Sequence, residues 1–356
     1  MAKKIIYFTP AHRDLKNAAS MRSFWFVKTL REQGDMVDVL EVQDLWVPAP
    51  HNQQPPIVRL IFEFLGGVEL FLRVFFAPRG RRFIFSLPPF FTVLLGATAA
   101  VLSLRKFSLD IRDLYPQVLS ALGLLKENGR VFGFLQSWIN WLYRRASTVV
   151  AATEGLRKEI LASEPNVCVQ LIMNGFDAGL FYPVPLGEKN LRFTAVFHGN
   201  LGRFQRVDLV VELARLCPEI DFLVIGDGPA AKYLRDAPTN LRYLGPMSIE
   251  ELAPHVRRCH VGLSFRTEDR ISTDAFPVKV FEYLGAGLPI IVTPPSEAGE
   301  FVEREKVGVA LRNDVAAIAE VLRRWHREGP PPVDGSRFLP YSRQELSKGA
   351  RLLVEQ

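Results

Sequence analysis

Asp221-Phe222-Leu223-Val224-Ile225, followed by Gly226-Asp227-Gly228-Pro229, reads as a short apolar strand that ends in a glycine turn. Helical spacing precedes it over residues 207–216, and a further strand lies at 193–198. Beyond it come strands at 241–244, 260–265 and 290–292, with helices at 249–258 and 277–286. The first half of the chain repeats the alternation. Strands are expected at 4–8, 37–42, 83–86, 107–111, 148–152 and 169–173. Helices are expected at 18–34, from Pro88 through 104, at 128–145 and at 154–163, with a Pro-rich loop at 48–56. This order predicts an α/β protein with two doubly wound parallel sheets facing a cleft. Such sheets hold their ligands at the carboxyl ends of the strands.

A chain of 356 residues exceeds one ordinary core. The Pro-containing link Phe181-Tyr182-Pro183-Val184-Pro185 sets the expected domains at 1–180 and 181–335, with a C-terminal helix over 336–356 packing back on the first domain. Cys168, Cys217 and Cys259 form no CxxC pair and no metal-ligand spacing, which argues against a disulfide framework or a structural zinc. The apolar run at the amino terminus stops at Thr9-Pro10, too short for a signal peptide, so a first strand and a cytoplasmic protein are expected. The net charge of +6 is unevenly placed. About 21 basic and 14 acidic residues fall in residues 1–175, near +7, and the remainder is near −1. A basic first half suits an anionic partner, whether membrane lipid, a phosphorylated acceptor or nucleic acid, or else is a solubility charge; an anionic membrane surface, and no nucleic acid, is the partner expected here.

Several segments of the second half resemble glycosyltransferase family 4. Phe197-His198-Gly199-Asn200-Leu201-Gly202 is similar to that family's glycine turn at the start of its second domain, and Phe222 to Pro229 to its "ivGdGp" segment. Leu241-Arg242-Tyr243-Leu244-Gly245 resembles its "v-flG" strand, whose following loop lies against the nucleotide base. Asp274-Ala275-Phe276-Pro277-Val278-Lys279-Val280-Phe281-Glu282 is similar to its E-x-F-G-x-x-x-x-E signature, and residues 290–293 to the strand that follows. Asn174-Gly175-Phe176-Asp177 resembles "NGvD". Each segment alone is weak, but together they run in the family's order. The resemblance implies the GT-B fold of two Rossmann-like domains and a retaining transferase that takes a sugar from a UDP- or GDP-sugar. It further implies a lipid-linked or saccharide acceptor, in the branch that builds bacterial surface polysaccharides.

The residues agree with that chemistry. A helix over 277–286 offers unpaired N–H groups and a positive dipole end to a diphosphate, and Pro277 suits its first turn. The resemblance gives Asp274 the donor sugar's hydroxyls and Glu282 the nucleotide ribose, and a carboxylate accepts two such bonds. Gly199, Asn200, Gly226, Asp227, Gly245, Phe276, Pro277 and Val278 complete the expected donor site. Two departures stand out: Asp replaces the family's first Glu, and Pro277 its glycine. A helix cap is the competing reading of Asp274. The family's Arg and Lys after the glycine turn are replaced by Asn200 and Gln205, so Arg203 and Lys279 are the expected phosphate cations. With no Asp-x-Asp and no His-rich cluster, neither metal nor cofactor is expected.

In the first half, Leu109-Asp110-Ile111-Arg112-Asp113-Leu114-Tyr115-Pro116 resembles the "D-x-R-D-x-x-P" segment of the same branch. Asp113 is expected to orient or deprotonate the acceptor hydroxyl and Arg112 to hold it, a structural turn being the rival reading. His12 and Arg22 are expected acceptor contacts. Residues 57–76, apolar but broken by charges and by Gly66-Gly67, read as a helix lying in a membrane interface beside Arg79, Arg81 and Arg82, or else as an ordinary buried helix. Two rivals share the fold: a nucleotide-sugar epimerase, which should show more acids and histidines in the cleft, and an inactive nucleotide-sugar-binding partner.

Overall fold

Strand residues of the first unit alternate between two cores, and that alternation sets its layers. In the computed structural model, which describes residues 3–13, 18–47, 55–127, 129–273 and 275–355, this unit holds residues 1–174 and 346–356. Its elements are β1 (Lys4–Thr9), α1 (Ala18–Glu32), β2 (Met36–Glu41), α2 (Pro56–Phe75), β3 (Arg81–Leu87), α3 (Phe90–Leu102) and β4 (Phe107–Ile111). Then follow α4 (Gln117–Ala121), α5 (Arg130–Arg145), β5 (Thr148–Ala151), α6 (Glu154–Ser163) and β6 (Val169–Leu171). The sheet is parallel, in the order β2-β1-β3-β4-β5-β6. Phe8, Phe83, Phe85 and Val149 join one core with Phe90, Leu94 and Ile139. Their neighbours Tyr7, Ile84 and Val150 join the other with Phe26 and Leu30. The period of two in a strand makes this division.

Gly66-Gly67, which interrupts the apolar run of α2, also brings two helices together. A Cβ on Gly67 would lie 2.8 Å from the Phe91 carbonyl oxygen of α3. Leu70 and Val74 of α2 are buried, whereas Ile57, Ile61, Phe64, Leu65, Val68 and Leu72 are exposed along its outer side. Among the described residues no helix is long and apolar enough to cross a membrane.

The second unit is residues 175–345. It runs β7 (Thr194–His198), α7 (Val207–Leu216), β8 (Asp221–Ile225), β9 (Leu241–Tyr243), α8 (Ile249–Arg257), β10 (Val261–Phe265), α9 (Arg270–Thr273) and α10 (Val278–Gly285). β11 (Ile290–Thr293), α11 (Glu297–Arg304), β12 (Gly308–Ala310) and α12 (Val315–Glu328) complete it. The parallel order is β12-β11-β10-β7-β8-β9. Its core gathers Phe197, Phe222, Val224, Phe265, Ile291, Leu322 and Trp325. β12 was not among the expected strands. It has three half-buried residues, too few to show a period.

The division falls at Asn174/Gly175 and Glu345/Leu346, displaced from the expected 180/181 and 335/336. Phe176 is buried with the second unit, where a Cβ on Gly285 would lie 2.4 Å from its ring. Residues 336–356 are not one helix. Gly335–Tyr341 is a 3-10 turn that stays with the second unit, its Phe338 and Tyr341 packed on Phe301. Only the last residues return to the first unit, where Leu353 and Val354 enter the core of Ile5 and Tyr7. There the Ser108 hydroxyl donates to the Leu353 carbonyl at 2.7 Å.

Candidate active site

At the carboxyl side of β7, β8 and β9 the chain turns through Gly199, Gly226 and Gly245, with φ of 104°, 134° and 72°. Gly226 is the most constrained, since a Cβ there would lie 1.8 Å from the Gly199 carbonyl oxygen. Backbone bonds knit the turns together: Gly199 N donates to Ile225 O, Gly226 N to Gly245 O and Leu201 N to Asp227 O, at 2.8–2.9 Å. A floor without side chains lets a ligand approach the backbone closely. Asn200, Arg203 and Asp227 are exposed at its edge. The Asp227 carboxylate accepts from the Gly228 N–H at 2.8 Å, and Arg206 pairs with Asp208.

α10 brings the ionisable groups to this floor. Lys279 and Glu282 are both buried, at 7% and 4% exposure. Lys279 Nζ donates to Gln205 Oε1 at 3.1 Å and sits 3.8 Å from the centre of the Phe197 ring. Burial, helped by Arg266, brings the Lys279 ammonium down to about 7. The Glu282 carboxylate accepts from Arg343 Nη2 at 3.3 Å. Burial pushes its pKa up, and the positive charges of Arg343 and Lys279 partly offset that. His198 Nε2 stands 3.6 Å from the other carboxylate oxygen. Burial and the charge of Lys279 hold His198 well below the usual imidazole range, so it is neutral at pH 7 and this contact is no ion pair. His198 Nε2 and Arg343 Nη1 are buried without a hydrogen-bond partner. Buried polar atoms are ordinarily paired, so two orphans flanking one carboxylate mark a place suited to ligand hydroxyls.

Around the start of α10 the expected set divides. Phe276 is a core side chain, stacked on Phe281 with centroids 4.3 Å apart. Pro277 precedes the helix instead of opening it, and the first helical residue is Val278. Asp274 lies outside the described residues. Among those described, no group of three or more His, Cys, Asp and Glu is arranged to hold a metal ion.

In the first unit, Arg112 and Asp113 follow β4. Arg112 is half-buried and donates to the Pro88 carbonyl at 3.3 Å, while Asp113 is exposed. His12 follows β1, with Nδ1 3.1 Å from the Ser23 hydroxyl, so one nitrogen is taken up by α1. Burial lowers its pKa. Arg22, expected at the acceptor, is a structural residue. It is 3% exposed, pairs with Asp110 at 2.7 Å and donates to the carbonyls of Ile172 and Met173. These partners take up most of the guanidinium's five N–H donors.

Residues 192–328 match the family model of glycosyl transferases group 1. All the expected nucleotide-sugar residues, Gly199 through Glu282, fall inside this matched segment. A probable glycosyltransferase, WbjE of Pseudomonas aeruginosa, is 25% identical over 240 residues, covering 61% of this chain and 59% of that protein. The match thus spans less than two thirds of that relative. Sucrose-phosphate synthase of Thermosynechococcus elongatus superposes with a TM-score of 0.67 at 13% identity, over 99% of this chain and 94% of that one. A putative UDP-N-acetylglucosamine 2-epimerase of Listeria monocytogenes gives 0.57 at 12% identity, over 97% and 94%. These structures show the fold, the two-sheet GT-B architecture. The group 1 domain and the WbjE relative support a transferase enzyme. Arg343, the partner of Glu282, lies beyond the group 1 domain. At 61 residues from Glu282, no local spacing in the sequence announces it.

Proposed function

We propose that the protein is a retaining glycosyltransferase that moves a hexose-type sugar from a UDP- or GDP-sugar to a lipid-linked or saccharide acceptor in cell-surface glycan synthesis. The observation that carries this is the buried set on α10, Lys279 and Glu282 with Arg343 and His198, beside the glycine floor of the group 1 domain. Glu282 would accept the ribose hydroxyl hydrogens, and Lys279 and Arg203 would neutralise the diphosphate without metal or cofactor. In the reaction the bond from the anomeric carbon to the diphosphate oxygen breaks and the diphosphate leaves with the electron pair. The acceptor oxygen bonds to that carbon on the same face, and its proton passes to the leaving phosphate or to Asp113. Asp274, as the motif's first acid, would hold the donor sugar.

The first unit would dock peripherally on the inner face of an anionic membrane. Its support is the outer side of α2, where Ile57 and Ile61 are 64% and 54% exposed in line with Phe64, Val68 and Leu72, together with exposed Arg79 and the basic first half. Arg81 pairs with Asp38 at 3.5 Å and contributes less than its place in the cluster suggests.

Incubation with labelled UDP- and GDP-sugars and membrane extract tests the reaction. Label should pass to a lipid-extractable or polymeric product. Sugar isomerised without an acceptor would point to the epimerase, and no turnover with any donor would refute the transferase. Calorimetry with UDP and GDP should show Glu282→Ala weakening whichever nucleotide binds. In flotation, anionic vesicles should carry the protein less well as salt rises, and Ile61, Phe64 and Val68 changed to Ser should abolish it.

A further inference from the structure

Arg343 is a buried arginine whose side chain donates to the carboxylate that the proposed function assigns to the ribose. It is 4% exposed and opens the single-turn helix Arg343–Leu346, part of a strap that follows the 3-10 turn Gly335–Tyr341. The strap is anchored on both sides. Before Arg343, Phe338 and Tyr341 pack on Phe301, and Tyr341 also stacks on Phe281 of α10 with centroids 5.9 Å apart. At Arg343 the backbone N–H donates to the Phe176 carbonyl at 2.7 Å, and the Phe176 N–H donates to the Tyr341 carbonyl at 3.3 Å. After it, the Gln344 amide donates to the Asp177 carboxylate at 2.9 Å. A long side chain held at its root by aromatic packing and backbone bonds has few directions open to it. This one points its guanidinium at Glu282.

Among the described residues, His198 at the end of β7, Lys279 one turn earlier on α10 and Arg343 from the strap face Glu282, while the neighbouring Tyr283 hydroxyl donates to the Val196 and Leu263 carbonyls. His198 is neutral at pH 7, and Lys279 is directed to Gln205 and the Phe197 ring. Arg343 is thus the group that hydrogen-bonds the carboxylate, and it opposes the carboxylate's protonation, with Lys279 behind it in effect. A single contact at 3.3 Å to Oε1 leaves the second carboxylate oxygen facing His198, with both flanking orphan atoms nearby. Resting on the reading of Glu282 as the ribose ligand, we propose that Arg343 is a positioning residue, keeping the Glu282 carboxylate ionised and aimed at the sugar hydroxyls of a bound nucleotide.

The test is calorimetry of the full chain with UDP and GDP across a pH series, on wild type, Arg343→Gln, Glu282→Gln and the double variant. Arg343→Gln should lower affinity about tenfold at neutral pH. It should also move the pH at which binding fails on acidification upward by about one unit, because the carboxylate then protonates more readily. Adding Arg343→Gln to Glu282→Gln should change affinity no further. Arg343→Lys, which retains the charge but not the fork, should weaken binding while leaving the acid limb near that of wild type, and it serves if Arg343→Gln fails to fold. A loss that is equal at every pH and equal in both backgrounds would overturn the positioning role, since Arg343 would then act apart from Glu282. Unchanged affinity in Glu282→Gln is a separate result, which removes the ribose assignment and the inference built on it.

Discussion

Two buried arginine–carboxylate pairs, one in each unit, sit near strand ends and behave oppositely. Asp110 on β4 accepts from Arg22 Nε and Nη2 at 3.0 and 2.7 Å, from Ser86 at 3.1 Å and from Tyr7 at 3.3 Å. The remaining Arg22 nitrogen donates to the carbonyl of Ile172 at 2.8 Å and to Met173 at 3.2 Å. Glu282 accepts one bond from Arg343, whose Nη1 has no partner, and faces a neutral His198 whose Nε2 has none. A saturated buried network is architecture, because every desolvated group has recovered its bonds. An unsaturated one is what a binding site looks like, with bonds left for something else to complete.

The contrast breaks first at Asp110. Asp110→Ala strands the Arg22 guanidinium and should cost about 3–5 kcal/mol of stability. Urea denaturation measures it, and nucleotide affinity should survive wherever the fold does. A loss below about 1 kcal/mol would mean the network is not structural.

Lys279→Met should act the other way, abolishing or strongly weakening nucleotide binding while stabilising the free protein. The Lys279 pKa falls from 10.5 to about 7 on folding. Between those values the unfolded chain binds more protons, so stability rises with pH by at most about 1.4 kcal/mol per unit. Lys279→Met should flatten that slope. A slope unchanged by the substitution would show the lysine is not buried in solution.

A smaller effect sharpens the same point. If a diphosphate restores the charge of Lys279, nucleotide binding above pH 7 takes up a fraction of a proton, seen as a binding heat that varies with the buffer's ionisation enthalpy. Lys279→Met should remove that dependence. The smallest expected effect is that of excess EDTA on turnover, which should be nil if Lys279 and Arg203 meet the phosphate charge. Activity lost on chelation and restored by magnesium or manganese would reassign that work.

Legibility in the sequence followed range. The glycine turns and the α10 segment were readable because their residues are close in the chain and their backbone demands are local. Gly226 had to be glycine, since a Cβ there would meet the Gly199 carbonyl. Arg22 misled because it follows closely on the loop after the first strand, yet its partner Asp110 is 88 residues away. Gly66-Gly67 was legible only in part, since a glycine pair that breaks a pattern and one that admits a neighbouring helix look alike until that neighbour is placed.

By itself the sequence determined two parallel sheets, the turns after β7, β8 and β9, and the acid and base of α10. Each of these follows from apolar periods and from glycines at fixed offsets along one stretch of backbone. Tertiary structure alone decided that Glu282 and Lys279 are buried, that Arg343 is brought 61 residues back to meet Glu282, and that Arg22 is spent inside the first unit. Whether a charge is a ligand or a strut depends on which groups from distant segments satisfy it after desolvation, and local spacing carries no record of that.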